Sequence, residues 1–297
     1  MHRSVKKKQK GLKKLRLCIF VVAVFKLGLQ PYGAYAALSL PFSDVLSNNL
    51  GILSNKIVNP FIKTLGIILN HRSYEPATPL GTTAGVDLGV EVTLVQMPTS
   101  LTSELATEGY NVTFPPFLPS AKYLNFHKGI SDRTDVGLSV VSFQNNLVWG
   151  ADVKMVVFQP EEGPTWALRL SYNSISLPVG TISETVVVNQ ITATASASLK
   201  INAVTWTPQI LISKKFEFAD PYIGIGYQLI SGSINLTTTS NLPIPNLNES
   251  ISGKGGSFIS FLGLSLRVPG LGVRVTMEGS YCPEGYNALG AKIGIGF

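Results

Sequence analysis

The segment at residues 290–297, GAKIGIGF, decides the fold. Extended back by one residue, it places Leu289, Ala291, Ile293, Ile295 and Phe297 on one face and Gly290, Lys292, Gly294 and Gly296 on the other. A period of two marks a β-strand, because successive side chains point to opposite sides of the backbone. Any half-buried strand has an apolar face. The second face is the informative one. A soluble sandwich would turn Lys, Glu and Thr to water there, whereas this strand turns glycines and one lysine.

The same theme recurs from about residue 84 onward. AGVDLGVEVTL (84–94) sets Ala84, Val86, Leu88, Val90, Val92 and Leu94 against Asp87, Gly89, Glu91 and Thr93. DVGLSV (135–140), WGADVKMV (149–156), WALRLSY (166–172) and LGVRVTMEGSY (271–281) alternate in the same way. The charges on the second face are Asp87, Glu91, Asp135, Asp152 and Glu278 against Lys154, Arg169, Arg267, Arg274 and Lys292, five of each sign. Sparse, balanced charges among Gly, Ser and Ala suit the inside of a closed barrel, where buried charges must pair. Lipid then takes the apolar side. The expected fold is an all-β transmembrane antiparallel β-barrel, since strands of about ten residues, apolar outward and polar inward, are its signature.

Ten strands are expected, at 84–96, 120–128, 133–145, 147–158, 164–176, 192–214, 219–234, 256–268, 271–281 and 287–297, with eight or twelve as alternatives because alternation is poor between Gly180 and Lys200. The turns ISDRT, QPEEGP, FEFAD and VPG fall on the periplasmic side, which leaves 97–119, 177–191 and 235–255 as long external loops.

Composition agrees. The 297 residues are 45% hydrophobic and only 14% charged, against about 25% charged in an ordinary soluble domain. The net charge of +7 is concentrated in residues 1–36, which carry nine bases and no acid and leave 15 bases against 17 acids in the remainder. Nucleic-acid binding is therefore not expected. The basic start, the apolar run Leu17–Leu29 and Ala34-Tyr35-Ala36 are the three parts of a secretory signal peptide cleaved after Ala36. The expected organisation is a signal peptide at 1–36, a helical segment at 37–80 and the barrel at 81–297. Export to the bacterial outer membrane follows from these three parts.

Residues 41–70 break the β pattern. Leu46, Leu50, Leu53, Ile57, Phe61, Leu65 and Leu69 recur at helical spacing, with Ser43 as the N-cap and Pro60 as a kink. This helical block, GVDLGVEVTL (85–94), LPSAKYLNFHKGISDRTDVGLSV (118–140) and ISKKFEFADPYIGIGYQ (212–228) together resemble a family of functionally unassigned bacterial outer-membrane barrels with an N-terminal helical segment. They are more distantly similar to the fatty-acid-channel superfamily, in which an N-terminal hatch fills the barrel. The terminal Phe297 resembles the closing residue of outer-membrane barrels. That resemblance implies that the periplasmic barrel-assembly machinery reads it. The resemblance also implies outer-membrane lipid and lipopolysaccharide as surroundings, and a monomer is expected.

No catalytic constellation, metal site or cofactor is expected. His71 precedes the barrel, His127 reads as an interfacial residue at the periplasmic end of its strand, and no His/Cys ligand spacing stands out. Cys282 has no cysteine partner downstream of the cleavage site. The functional expectation is passive transport of small or hydrophobic solutes, or a structural role, with the helix as a plug. Alternatives are a hydrolase or protease using Asp152 or Glu278 as general base, and an adhesin presenting the long loops. A ten-strand lumen is largely filled by its own side chains. The helix is therefore expected beneath the barrel mouth or at the membrane interface, entering the lumen only with twelve or more strands.

Overall fold

The structure, a computed structural model, describes residues 55–83, 85–107, 116–143, 146–188, 191–240, 248–268 and 271–296. The expected signal peptide with its Ala36 cleavage site, the helical stripe Leu46 to Leu53 with its Ser43 cap, and Phe297 lie outside these residues. A helix α1 (Asn55–Ile68) comes first, followed by β1 (Val86–Gln96), a short helix α2 (Thr99–Thr107), β2 (Phe117–Gly129), β3 (Thr134–Phe143) and β4 (Asn146–Phe158). Then come β5 (Thr165–Val188), β6 (Ile191–Ser213), β7 (Ala219–Ser240), β8 (Asn248–Val268), β9 (Val273–Tyr281) and β10 (Ala288–Gly296).

Each strand pairs antiparallel with its neighbours in sequence, and β1 pairs with β10 to close the ring. Among the described residues the barrel therefore has ten strands closed into one ring, which settles the choice among eight, ten and twelve. The closing register sets Leu88 opposite Ile295 and Glu91 opposite Lys292. Both strands thus present the same parity to the outside.

Outward positions are apolar: Leu88, Val92, Leu138, Val153, Leu168, Ile225, Met277 and Leu289 are all exposed on the barrel surface. Inward positions are polar and buried, and they include Asp87, Glu91, Asp135, Asp152, Lys154, Arg169, Glu278 and Lys292. Trp149, Tyr172 and Trp206 stand side by side outside β4, β5 and β6, with ring centroids 5.1 and 4.7 Å apart. A second exposed aromatic row, Phe158, Trp166, Phe216 and Phe218, lies at the short-turn end.

The wall is uneven. β5 to β8 have 24, 23, 22 and 21 residues, whereas β9 and β10 have 9 each. Pairing of β5 with β4 stops at Ser174, and pairing of β8 with β9 begins at Ser260. The excess therefore lies at the end opposite the short turns. This corrects the expectation of long loops at 177–191 and 235–255: both are mostly strand. Neither face of these extensions needs to be apolar once it lies beyond the lipid, so the alternation that reveals a membrane strand fades there. In the remaining expected loop, residues 99–107 form α2 and β2 already begins at Phe117.

Helix α1 sits inside the mouth, against the inward faces of β6, β7 and β8. Ile62 packs at Gly232 and Gly253, and the backbone of Gly66 lies so close to Ile230 and Thr205 that a Cβ there would overlap both. Lys63 forms an ion pair with Glu284, and Thr64 Oγ1 meets Tyr286 Oη at 2.7 Å, both partners in the β9–β10 connection. Val58, Phe61, Ile62, Leu65, Ile67 and Ile68 are all buried, so the helix is covered on most of its circumference. The expectation that ten strands would keep the helix out of the barrel is overturned. Its premise fails at the glycines of the wall: Gly232 and Gly253 make room for Ile62, and Gly150 and Gly290 for the segment that follows the helix.

Candidate functional site

The segment between α1 and β1 runs extended down the lumen. Landmarks on β6 give its direction: Thr205 Oγ1 donates to the Gly66 carbonyl at 3.3 Å, Asn70 Nδ2 donates to Thr207 Oγ1 at 3.4 Å, and Thr78 N donates to Ser213 Oγ at 3.1 Å. Segment and strand descend together toward the short-turn end, where Leu80 N donates to the Asp135 carboxylate at 3.2 Å. Residues 69–78 are all buried.

A lone extended chain leaves its peptide groups without ladder partners, and buried peptide groups need partners. The barrel wall supplies several. Lys154 Nζ donates to the carbonyls of Pro76 and Thr78 at 2.8 and 2.9 Å, Arg169 Nη2 to that of Glu75 at 2.6 Å, and Asn125 Nδ2 to that of Arg72 at 3.2 Å.

Side chains of the segment complete the lumen network. Glu75 accepts from Lys292 Nζ and from Arg274 Nη1, each at 2.9 Å, while Asp87 pairs with the same two cations at 2.5 and 3.2 Å. Asp135 holds Lys154 at 2.9 Å. Asp220 holds Arg267. Glu91 accepts from Asn125 at 2.5 Å, Glu278 from the Tyr222 hydroxyl at 2.8 Å, and Arg72 Nη1 donates to Ser280 Oγ at 2.7 Å.

All ten charges read from the alternation thus sit on lumen-facing positions. Five partners fell outside that reading: Arg72, Glu75 and His71 on the segment, Asp220 at the start of β7, and His127 on β2. Only Asp220 carried a signal, since it sits in phase with the inward residues of β7.

Room for the segment comes from glycine and serine. A Cβ on Gly290 would overlap the Tyr74 phenol, and one on Gly150 would come within 2.6 Å of the His71 Cβ. Tyr74 itself has φ 53°, a left-handed conformation that strains a bulky residue by about 1–3 kcal/mol. Its hydroxyl is anchored on Thr93 Oγ1.

At the centre, two histidines converge on one carboxylate oxygen. Asp152 Oδ2 lies 2.5 Å from His71 Nε2, 3.1 Å from His127 Nε2 and 2.6 Å from Ser73 Oγ, which donates to it. His71 Nδ1 meets Ser139 Oγ at 2.5 Å. His127 Nδ1 faces Lys292 Nζ at 3.5 Å and Glu75 Oε1 at 3.9 Å. The reading of His127 as interfacial is therefore corrected: it points into the lumen and is 2% exposed, because its parity matches Asn125 and its β1 partner Asp87. His71, which precedes the barrel in the sequence, is fully buried inside it.

The order Ser139–His71–Asp152 is that of a proton relay, with the ring reversed so that the acid sits on Nε2 and the hydroxyl on Nδ1. Ser139 is 1% exposed beneath the segment, so its hydroxyl is not presented to a substrate. The arrangement can hold charge and ligate a cation.

No protein-family model matches the chain, and no curated protein matches it. Among solved structures, the outer-membrane protease OmpT of Escherichia coli is similar at 9% identity, covering 71% of this chain and 96% of that one with a TM-score of 0.37. Ail, the attachment invasion locus protein of Yersinia pestis, is similar at 10% identity over 71% and 94%, with a TM-score of 0.27. The translocator domain of the autotransporter NalP from Neisseria meningitidis is similar at 10% identity, covering 90% of this chain and 99% of that one, with a TM-score of 0.36.

Proposed function

We propose that the chain is a bacterial outer-membrane barrel whose polar lumen is closed by its own N-terminal segment, a plugged pore for small polar solutes. The observation that carries this is the plug interface. The lumen is lined by Lys154, Arg169, Arg274, Lys292, Asp152 and Asn125, and each of them bonds to residues 71–78. With the segment withdrawn, these groups need other partners, and water supplies them. The path so opened is hydrophilic, which favours polar over hydrophobic solutes.

Membrane residence is supported by the outer surface. On β4, the span from Trp149 to Phe158 corresponds to a height of about 23 Å at ~3.4 Å per residue and ~40° tilt. That matches the apolar band of about 25 Å between aromatic girdles in outer-membrane barrels. Export through a cleaved signal peptide and assembly by the periplasmic machinery belong to the same proposal.

The test is single-channel conductance in a planar bilayer. The full barrel should be closed or nearly so, and a variant lacking residues 55–78 should conduct ions steadily. Equal conductance with and without the segment would refute the plug. A folded deletion variant that stays silent would point to a structural barrel.

A further inference from the structure

We propose that His71, His127 and Asp152 form a binding site for one transition-metal dication, most simply Zn²⁺, at the junction of plug and wall. His71 comes from the plug, His127 from β2 and Asp152 from β4. The ion therefore ties the segment to the barrel.

The first argument is convergence. Both imidazoles aim the same nitrogen, Nε2, at the same oxygen, Oδ2, and the three donor atoms lie within 4.8 Å of one another. Zn²⁺ binds imidazole nitrogen and carboxylate oxygen at about 2.0–2.2 Å, which sets ligand atoms on one ion roughly 3.0–3.5 Å apart. The His127–Asp152 separation of 3.1 Å already fits. The His71–Asp152 separation of 2.5 Å must open by less than about 1 Å. Ser73 Oγ, 2.6 Å from Oδ2, or a water takes the fourth position.

The second argument is charge. Asp87, Asp135, Asp220 and Glu75 each meet a lysine or arginine. Among the described residues Asp152 meets none: it faces two imidazoles and a hydroxyl, although it is almost completely buried. A buried carboxylate needs a compensating cation, and a dication between the three donors provides it. Ligation uses the lone pair of each Nε2 and leaves the proton of the neutral ring on Nδ1.

The third argument is the surrounding shell. Metal-bound histidines hold their second nitrogen on a polar partner that fixes the ring. His71 Nδ1 has Ser139 Oγ within hydrogen-bond distance at 2.5 Å, while His127 Nδ1 faces Lys292 Nζ at 3.5 Å with Glu75 Oε1 farther off at 3.9 Å. Two nitrogen donors also favour Zn²⁺ and its neighbours over Ca²⁺ or Mg²⁺, which take oxygen.

The site needs only the seated segment. A barrel that never opens would hold the ion equally well, so conductance and metal content fail independently. The experiment uses the full mature barrel folded in detergent, stripped with chelator, loaded with ZnCl₂ and dialysed, with metal read by mass spectrometry and Co²⁺ substitution read by visible absorption. One Zn²⁺ per barrel and a Co²⁺ ligand-field band are expected. His127→Ala and Asp152→Asn should abolish both. Ser139→Ala should weaken binding by about 10–100-fold, and Cys282→Ala should leave it unchanged. Folding of each variant is checked by heat-modifiable mobility. Should a variant not fold, the wild-type ratio decides alone: a folded wild-type barrel that retains no Zn²⁺ overturns the proposal, as does full retention by Asp152→Asn.

Discussion

Leu138 and Ser139 are adjacent on β3 and live in different media. Leu138 points outward and is 41% exposed, and its side chain needs only to be apolar and to face the hydrocarbon. Ser139 points inward, is 1% exposed, and places its hydroxyl 2.5 Å from a histidine 68 residues earlier in the chain. Outside the barrel the solvent is uniform, so side chains are interchangeable within a class. Inside, many charged side chains answer to a particular partner, and that partner often comes from the threaded segment.

The largest effect should come from breaking the lumen side of this contrast. Glu75→Ala removes one of the two acids shared by Lys292 and Arg274. Stranding buried cations costs about 3–5 kcal/mol, with the lower end expected because Asp87 still faces both. Urea unfolding of the refolded barrel, followed by gel mobility, checks it. A loss below about 1 kcal/mol would mean that water already fills the lumen. On the outer side, Leu138→Arg should cost about 2–4 kcal/mol at the middle of the membrane. The loss should appear in lipid vesicles and shrink in detergent. Equal losses in both would mean that this face is not lipid-exposed. Third, Gly290→Ala pushes a methyl into the Tyr74 phenol. Overpacking of this kind costs about 1–3 kcal/mol. The double variant with Tyr74→Ala should recover part of the loss, whereas simple addition of the two losses would show that the residues do not touch.

The same contrast explains what could be read from the sequence. Alternation against two media is a strong local signal. It located all ten strands and set Asp87, Glu91, Asp135, Asp152 and the other six charges on the lumen side. It could not give their partners, because Lys292 and Glu75 lie 217 residues apart and no periodicity joins them. His71 and His127 looked unrelated for the same reason. The upper parts of β5, β7 and β8 read as loops because alternation weakens beyond the apolar band, whereas β6 reads as strand over nearly its full length. The place of α1 was legible in principle: Gly150, Gly290 and Ser139 already showed a lining of small residues. A lining of small residues leaves a ten-strand barrel wide enough for one more chain.

The direction of the segment has a consequence for assembly. Gly66, Asn70 and Thr78 descend β6 in order, so the polypeptide enters at the tall wall, passes down the axis and turns up into β1 at the opposite rim. Topologically, a closed hoop surrounds its own thread. Once β1 and β10 are zipped, inserting that thread would mean dragging its charged residues through a sealed ring. Zipping the β1–β10 seam last, around a strand of the chain already laid in place, avoids that passage.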